Sequence, residues 1–453
     1  MAAYSIIQKS QLEGAKRLDA EYYQPEYLIL DSLRKVSGNI LSEVAHCISG
    51  FAFPSEEFCK EGESPMVKMT QIVGDGFVNL KNSEYLSREY CRKFSDICRS
   101  FETRRGDIVV ALTGATIGKS GIVLSDHALL NQRVLLCRAK TVSTGYLWAL
   151  LSSKIFQSFI IRGALGGAQP NVSPKYATSF FVPSISEKIG IEIKDLTDKS
   201  IDLLEESDSR YSQAEDLFLE KLGLKDFKAN EDLYSVVNFS DIQGVNRMDA
   251  EYFQPKYEKL ISVSRAHGGK ALGELVTVKK GFEPGADAYE DDGKLFIRVS
   301  NISKHELIDK DQKYINKKLY EELKKEYEPK RGEILLTKDA SPGVAYALDV
   351  AVEGIISSGI LRLKLKEEIN PDYLALCINS VVGQMQVERD EGGSVIAHWK
   401  PEQVKNLLVP ILSKPIQQSI AELVRQSHEA RKQAQELLEE AKHKVEEMIE
   451  NQK

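Results

Sequence analysis

The chain has 453 residues, of which 42% are hydrophobic and 28% charged, and its net charge at pH 7 is −7. This composition is that of a globular protein and excludes disordered, collagen-like and disulfide-stapled classes. The acidic balance argues against a protein that holds polyanions by bulk charge, but it leaves room for local basic surfaces.

The cysteines indicate a reducing compartment. None of the six forms a CxxC pair, so neither a disulfide framework nor a thiolate zinc site is expected. Residues 1–13 do not have the pattern of a secretory signal, and no apolar stretch is long enough to span a membrane. The expected location is the cytoplasm, with no membrane partner.

The chain contains an internal duplication. Residues 17–27 (RLDAEYYQPEY) recur as residues 247–257 (RMDAEYFQPKY), with eight of eleven positions identical at a shift of 230 residues. Shorter matches follow at nearly the same shift, namely Gly50-Phe51 with Gly281-Phe282, Arg105-Gly106 with Arg331-Gly332, Gly166-Gly167 with Gly392-Gly393, and Val182-Pro183 with Val409-Pro410. The repeat is too long for a solenoid, so we predict two copies of one whole domain.

A long helix is predicted after each Val-Pro pair. Apolar or small residues, interrupted by Arg210, recur at steps of four and three at positions 189, 193, 196, 200, 203, 207, 210, 214 and 217, and again from 416 to 441. This spacing is typical of a coiled coil, and roughly 35 residues give a helix of about 50 Å. Since the stripe is weak at Ser200, Ser207 and Arg210, we expect the helices to pack against each other as an antiparallel pair. The alternative is two amphipathic helices, each lying on its own domain.

Each repeat is predicted to be α+β with a β-rich centre. Residues 107–112 and 333–337 are short apolar runs typical of buried strands, and residues 146–161 and 373–387 have helical spacing. The predicted fold is two duplicated recognition domains separated by two long antiparallel coiled-coil helices. The predicted boundaries are 1–183 for the first domain, 184–225 for the first helix, 226–410 for the second domain and 411–453 for the second helix.

Motifs for catalysis are weak. Residues 114–120 resemble a phosphate-binding loop but have three residues between the glycines instead of four, and the second copy has no matching lysine. Residues 370–373 (NPDY) are better explained as a helix start with proline in the first turn. Neither the histidines nor the carboxylates show metal-binding or acid–base spacing in both copies, so no catalytic residue and no metal ligand is predicted.

The order and duplication of these motifs resemble the DNA-specificity subunit of type I restriction–modification systems over essentially the whole chain. The resemblance implies a non-catalytic subunit in which two target-recognition domains each read one half of an asymmetric, split site in double-stranded DNA. It further implies that the long helices set the spacing and dock two methyltransferase subunits, and that restriction subunits join this core. S-adenosylmethionine, ATP and Mg²⁺ would then be used by the partners, and no cofactor by this chain.

The sequence leaves two other functions open. One is a protein-binding scaffold made of the rod and the two domains, and the other is a DNA methyltransferase in its own right. For the favoured function, DNA is read by polar loop residues that differ between the copies. The candidates in the first copy are Lys68, Thr70, Gln71, Thr113, Thr116, Lys119, Gln169 and Asn171. The candidates in the second copy are Arg298, Ser300, Asn301, Lys338, Ser341, His398 and Lys400.

Residues that match between the copies are poor candidates for reading different sequences. We expect them to form the junction with the long helices or to meet the methyltransferase, the alternative being helix capping and packing. They are Asp19, Glu21, Tyr22 and Pro25 with Asp249, Glu251, Tyr252 and Pro255. The sequence leaves two roles open for Trp399, stacking on a base or packing in the core.

Overall fold

The computed structural model describes two compact units. Unit 1 takes in Met1–Leu204 with Lys432–Lys453, and unit 2 is Glu205–Arg431. The residues described are 5–10, 12, 17–25, 27–28, 30–31, 38–72, 76–80, 83–164, 170–225, 227–228, 236–239, 242, 247–308, 312–391 and 398–451. Among these residues, no helix is long and apolar enough to cross a membrane.

The main sheet of unit 1 has five strands in the order β2-β10-β7-β8-β5. Strand β10 is antiparallel to both neighbours, with Cys137 opposite Cys47 on one side and Ile108 on the other. The strands of unit 1 are β1 Asn39–Ile40, β2 Ala45–Ser49, β3 Phe58–Cys59, β4 Met66–Val67, β5 Gly76–Phe77, β6 Tyr85–Leu86, β7 Ile108–Ala111, β8 Ser120–Ile122, β9 Leu129–Leu130, β10 Val134–Ala139 and β11 Phe181–Val182.

The main sheet of unit 2 repeats this order as β13-β20-β17-β18, and a second four-stranded sheet runs β14-β16-β15-β19. The strands are β12 Lys270–Ala271, β13 Val276–Lys280, β14 Tyr289–Glu290, β15 Lys294–Ile297, β16 Lys313–Ile315, β17 Ile334–Thr337, β18 Ala345–Ala347, β19 Gly354–Ile356, β20 Ile360–Leu365 and β21 Leu408–Val409. The predicted buried strands are confirmed at β7 and β17, where every residue is buried.

Helices cover the main sheet of each unit. Unit 1 has α1 Leu41–Val44, α2 Arg88–Lys93, α3 Ser95–Ser100, α4 Thr144–Ser152, α5 Lys154–Ala164 and α6 Pro174–Ala177. The two long helices are α7 Glu187–Lys221 and α14 Lys414–Glu450, and unit 2 has α8 Pro255–Ala266, α9 Leu272–Leu275, α10 Lys317–Tyr327, α11 Pro371–Asn379, α12 Val381–Glu391 and α13 Pro401–Asn406. Short 3-10 turns lie at Ala20–Tyr23, Ser55–Glu57, Met69–Gln71, Gly114–Thr116, Ala286–Ala288 and Val299–Asn301.

The helix that follows β10 in unit 1 and the helix that follows β20 in unit 2 begin in the same way. Ser143 caps α4 and Asn370 caps α11, which confirms that Asn370 starts a helix. The buried hydroxyl of Tyr146 donates to the carbonyl oxygen of Pro183 at 2.6 Å, and that of Tyr373 donates to Pro410 at 2.8 Å. This bond ties the sheet-covering helix to the Val-Pro that precedes each long helix.

The long helices run antiparallel within each unit. In unit 1, the Ser200 hydroxyl donates to the carbonyl oxygen of Ala434 at 2.7 Å, and Lys444 pairs with Glu192 at 3.2 Å. In unit 2, the hydroxyl oxygens of Ser207 and Ser427 are 3.1 Å apart. The predicted antiparallel pairing is therefore confirmed. Both helices also pack into the apolar cores of the units, so the pair is not a free-standing rod.

The buried stripe of α7 differs in part from the predicted one. Positions 193, 200, 207 and 214 are buried as predicted, but the alternate buried positions are Thr197, Leu204, Tyr211 and Phe218, one residue beyond the predicted 196, 203, 210 and 217. Residues 196, 203 and 217 are half-buried, because the helix faces both its partner helix and a domain core and so needs a wider apolar face than a two-stranded coiled coil.

Candidate nucleic-acid interface

In unit 1 two 3-10 turns bring predicted reading residues together. The turn Met69–Gln71 follows strand β4, and the turn Gly114–Thr116 follows strand β7. The Thr116 hydroxyl donates to the carbonyl oxygen of Met69 at 3.4 Å, which joins the two turns. Thr70 is exposed beside this contact. The structure therefore brings the turns of residues 69–71 and 114–116 into contact, although almost 50 residues separate them in the chain.

The first of these turns is shaped by its own side chains. The Lys68 backbone N–H donates to Oε1 of Gln71 at 2.9 Å, and the Thr70 hydroxyl donates to the same oxygen at 3.1 Å. The Lys68 ammonium pairs with Glu84 and lies 4.1 Å from the centre of the Phe58 ring. Because Gln71 and Lys68 are engaged within the turn, Thr70 is the most accessible side chain of the three.

The loop after β7 is joined to the segment before helix α6. Thr113 is bridged to Asn171, and the buried Thr113 hydroxyl donates to the carbonyl oxygen of Pro170 at 2.8 Å. Asn171 is exposed, and Lys119 is half-buried where the loop returns to strand β8. Gln169 and the Gly166-Gly167 pair lie outside the described residues.

Unit 2 repeats the first turn with different side chains. Residues Val299–Asn301 form a 3-10 turn after β15, and the Arg298 N–H donates to Oδ1 of Asn301 at 3.0 Å, as Lys68 does to Gln71. The Asn301 side chain is buried and donates through Nδ2 to the carbonyl oxygen of Ile308 at 3.3 Å. Asn301 therefore serves the shape of the turn, whereas Ser300 lies at its exposed face.

An open cleft of about 490 Å³ lies beside this turn in unit 2. Three predicted reading residues line it, Arg298, Ser300 and Ser341, which lie on two loops more than 40 residues apart in sequence. Asp339, which was not among the predicted residues, lines the same cleft. The cleft thus combines a guanidinium, a carboxylate and hydroxyl groups, which are donors and acceptors suited to base edges or phosphates.

The Asp339 carboxylate lies between two basic side chains, those of Lys338 and His398. Nζ of the buried Lys338 lies 2.5 Å from Oδ2 of Asp339, and Nδ1 of His398 lies 2.7 Å from its Oδ1. Burial acts to raise the pKa of Asp339, but the hydrogen bonds from Lys338 and His398 outweigh it, so the pKa lies below its ordinary value. The carboxylate is therefore charged at neutral pH. Sequence analysis missed Asp339; its only signal was its place in the loop that differs between the copies.

Two further residues near this loop, Lys400 and Trp399, make hydrogen bonds within unit 2. The Lys400 N–H donates to Oε1 of Gln403 at 3.0 Å at the start of helix α13, and the Lys400 side chain is exposed. Trp399 is 1% exposed, and its indole N–H donates to Oδ2 of Asp390 at 3.3 Å. Trp399 is thus a core residue, since a buried ring cannot stack on a base. Gly392-Gly393 and residues 394–397 lie outside the described residues.

The residues that match between the copies form a clamp in unit 1. Arg17 makes two hydrogen bonds to Asp19 at 2.8 and 2.7 Å. The Tyr22 ring lies between two guanidinium groups, 4.9 Å from Arg17 and 4.1 Å from Arg162. Arg162 lies on helix α5, so the clamp fastens the N-terminal segment of the repeat to the helical layer.

Unit 2 has the same clamp. Arg247 makes two hydrogen bonds of 2.8 Å to Asp249, and Tyr252 lies between Arg247 at 4.7 Å and Arg389 at 4.6 Å. In both units the hydrogen bonds from arginine hold the aspartate pKa below its ordinary value. Sequence analysis named the Asp and Tyr but missed Arg162 and Arg389, which lie about 140 residues downstream; their signal was an arginine kept at equivalent helical positions.

The other matched positions frame the clamp. Glu21 and Glu251 are exposed, Pro25 follows the first 3-10 turn, and Pro255 begins helix α8. Leu18 and Met248, at equivalent positions, are 87% and 82% exposed, and Ile6 and Val236 are 90% and 94% exposed. Each repeat therefore presents apolar side chains to solvent at the same two positions.

Comparison with known proteins gives one family match. Residues 269–441 match the family described as the type I restriction modification DNA specificity domain. The matched segment contains the cleft, both loops that line it and most of helix α14. No curated protein matches the chain.

Solved structures with similar folds were also found. The chain is similar to the S subunit of a type I restriction–modification system from M. genitalium, with 14% identity, 91% of this chain and 94% of that chain covered, and a TM-score of 0.33. It is similar to the HsdS subunit from Thermoanaerobacter tengcongensis, with 14% identity, 89% and 95% covered, and a TM-score of 0.27. At these low identities and TM-scores, the solved structures carry no argument about function. A proposal of function therefore depends on the family match of residues 269–441.

Proposed function

We propose that the chain is a non-catalytic DNA-specificity subunit of the type I restriction–modification class, supported by the family match over residues 269–441. We propose further that each of its two units reads one half of a split, asymmetric DNA sequence. The observation that carries the proposal is the repetition of one loop frame with different polar side chains. Lys68 and Arg298 begin equivalent turns, and Thr113 and Asp339 begin equivalent loops. Two copies of one frame with different donors and acceptors are suited to two different sequences.

The net charge of the chain indicates that its partners share the work of contacting the DNA phosphates. A protein that neutralises many phosphates needs many Lys and Arg residues, whereas this chain has a net charge of −7. We therefore propose that the partner subunits supply most of the phosphate contacts and that this chain supplies base contacts through a few loops. Isolated, the chain is expected to bind DNA poorly at physiological salt.

We propose that the two clamps mark equivalent docking sites for two methyltransferase subunits. Leu18 and Met248 are exposed at the same position beside the clamp, and apolar side chains of this size at the surface are typical of protein interfaces. Because the position recurs, the same partner surface fits both repeats. Leu18→Asp and Met248→Asp are each expected to remove one methyltransferase subunit from the complex, measured by native mass spectrometry, with Val350→Asp, exposed but unrepeated, as the control.

We further propose that α7 and α14 set the distance between the half-sites. Helices of 35 and 37 residues are about 50–55 Å long at 1.5 Å per residue. A duplex rises about 3.4 Å per base pair, so shortening both helices by about one turn is expected to reduce the tolerated gap by one or two base pairs. An unchanged gap in the methylated motif contradicts this spacer role.

The partners would supply the chemistry: methyltransferase subunits with S-adenosylmethionine, and restriction subunits with ATP and Mg²⁺, in the cytoplasm. The test is to assemble this chain with its methyltransferase and sequence the methylated sites in cellular DNA. A split, asymmetric motif is expected, and the complex should bind that duplex far more tightly than a scrambled one. Equal affinity for both duplexes overturns the proposal and favours a protein-binding scaffold.

A further inference from the structure

One corner of the backbone is the same in both units. In unit 1, Thr113 is bridged to Asn171, and the Val172 N–H donates to the carbonyl oxygen of Leu112 at 2.9 Å. Thr113 is buried and bonded to Pro170, whereas the Asn171 side chain is exposed. The exposed amide is thus the group that this corner offers to a ligand.

In unit 2 the same corner has other side chains. Asp339 is bridged to His398, and the Trp399 N–H donates to the carbonyl oxygen of Lys338 at 2.8 Å. The residue after the bridge has a left-handed backbone in both units, with φ +74° at Gly114 and +61° at Ala340. The backbone frame is therefore common, and the exposed group has changed from an amide to an imidazole.

The imidazole is oriented by a short chain of charged groups. Lys338, 9% exposed, holds Oδ2 of Asp339, and Oδ1 of Asp339 accepts from Nδ1 of His398. Because a carboxylate only accepts, Nδ1 carries the proton and points at Asp339, which leaves Nε2 as the ring nitrogen that can contact a ligand. The His398 side chain is 61% exposed, so a ligand can reach Nε2.

We propose that His398 in unit 2 and Asn171 in unit 1 are specificity-determining residues, and that Asp339 is a positioning residue for the His398 imidazole. This inference rests on the proposed function. An asparagine amide can donate and accept at once, which suits the adenine edge in the major groove. An imidazole held through Nδ1 offers a base edge a single nitrogen, Nε2, and so makes a one-point contact where the amide can make two. The two units then contact different base-pair edges through one shared frame.

The neighbouring cleft supports this assignment. Asp339 lines the cleft together with Arg298 and Ser300, so the carboxylate that orients His398 also belongs to the surface of the first turn. Asp339 thus lines the cleft together with Arg298 and also bonds His398. A base pair contacted by His398 would lie next to the one contacted from the cleft.

The first experiment uses His398→Asn in the complete complex with methyltransferase, with methylated sites sequenced genome-wide. We expect discrimination at one base pair of one half-site to fall about tenfold or more, as for a lost base contact. The other half-site and the gap are expected to stay unchanged. Asn171→Ala is expected to relax one position of the opposite half-site. His127→Asn, exposed in unit 1, is the matched control and should leave the whole motif unchanged.

The second experiment tests the positioning role. Asp339→Ala should relax the same base position as His398→Asn, whereas Asp339→Asn, which keeps an acceptor for Nδ1, should retain most of the preference. Copurification with the methyltransferase and an unchanged Tm show that each variant is assembled. If assembled His398→Asn and His398→Gln complexes both keep the wild-type motif, or if relaxation spreads over both half-sites, the inference is overturned. If the wild-type complex methylates no split motif, it is the proposed function that fails.

Discussion

Ser207 and Ser427 face each other between the long helices of unit 2, fully buried, with their hydroxyl oxygens 3.1 Å apart. In the sequence such serines weaken the apolar stripe. In the structure they allow a close approach of the helix backbones and pair with each other. The two serines are therefore part of the buried contact between the helices.

Replacing Ser207 with leucine is expected to destabilise the protein by about 1–3 kcal/mol through overpacking, even though leucine would improve the apolar stripe. Urea denaturation of the chain measures the change in the free energy of unfolding. Ser419→Leu is the control, because Ser419 is exposed on the partner helix α14. Stabilisation by Ser207→Leu would show that the stripe behaves as an ordinary coiled coil.

Gly50 and Gly281 occupy equivalent positions where a side chain has no room. A Cβ at Gly50 would overlap the backbone of Asn131, and one at Gly281 the backbone of Ser357. Gly50→Ala is expected to cost more than about 2 kcal/mol in the free energy of unfolding. In contrast, Gly190 lies in helix α7 with no atom near its Cβ position, so Gly190→Ala should stabilise by up to about 1 kcal/mol. Equal effects of the two changes contradict this account.

Arg162 is the buried member of the unit 1 clamp. It is 3% exposed, makes hydrogen bonds of 2.7 and 3.0 Å to Asp31, and donates through Nε to the carbonyl oxygen of Tyr22 at 3.0 Å. Arg162→Lys keeps the charge but loses the planar fork, and is expected to lower the free energy of unfolding by about 2 kcal/mol.

The control for this substitution is Arg210→Lys on the exposed face of α7, where the ion pair with Glu206 is worth less than about 0.5 kcal/mol. Thermal denaturation followed by circular dichroism compares the two. If Arg162→Lys has no more effect than Arg210→Lys, the clamp does not hold the N-terminal segment.

His428 makes stability depend on pH. Burial lowers its pKa to about 4, although the ring donates one hydrogen bond through Nε2 to the Lys304 carbonyl at 3.2 Å. Since the carbonyl only accepts, Nε2 carries the proton and the ring is neutral. A lowered folded pKa means that the unfolded chain takes up the proton first, so stability present above about pH 6.5 is lost towards pH 4, by up to about 3 kcal/mol. His428→Gln should flatten this acid loss in urea midpoints measured from pH 7 to pH 4.

Asp372 changes the stability in the opposite direction as the pH falls. Burial raises its pKa to about 6, with Arg425 at 4.0 Å opposing the shift, so the folded chain takes up this proton first and gains stability as pH falls through about 6. Asp372→Asn removes the gain, and the acid loss due to His428 should become steeper in that variant. An unaltered pH profile in both variants would contradict the burial of these two groups.

The sequence by itself determined the duplication, the two antiparallel long helices and the buried strands β7 and β17. These features depend on local periodicity and on the order of motifs, which can be read along the chain. It also singled out Arg298, Ser300 and Ser341, because they lie in polar loops that differ between the copies.

Only the tertiary structure decided which of these side chains meet and what each one touches. Thr113 and Asn171, or Asp339 and His398, are almost 60 residues apart, and no periodic pattern links them. Trp399 became a core residue, and Arg162 and Arg389 entered the clamps, because burial is set by contacts between distant segments. The width of the buried stripe on α7 was likewise decided by packing, since a helix that faces both another helix and a domain core buries positions that a coiled-coil pattern leaves at the edge.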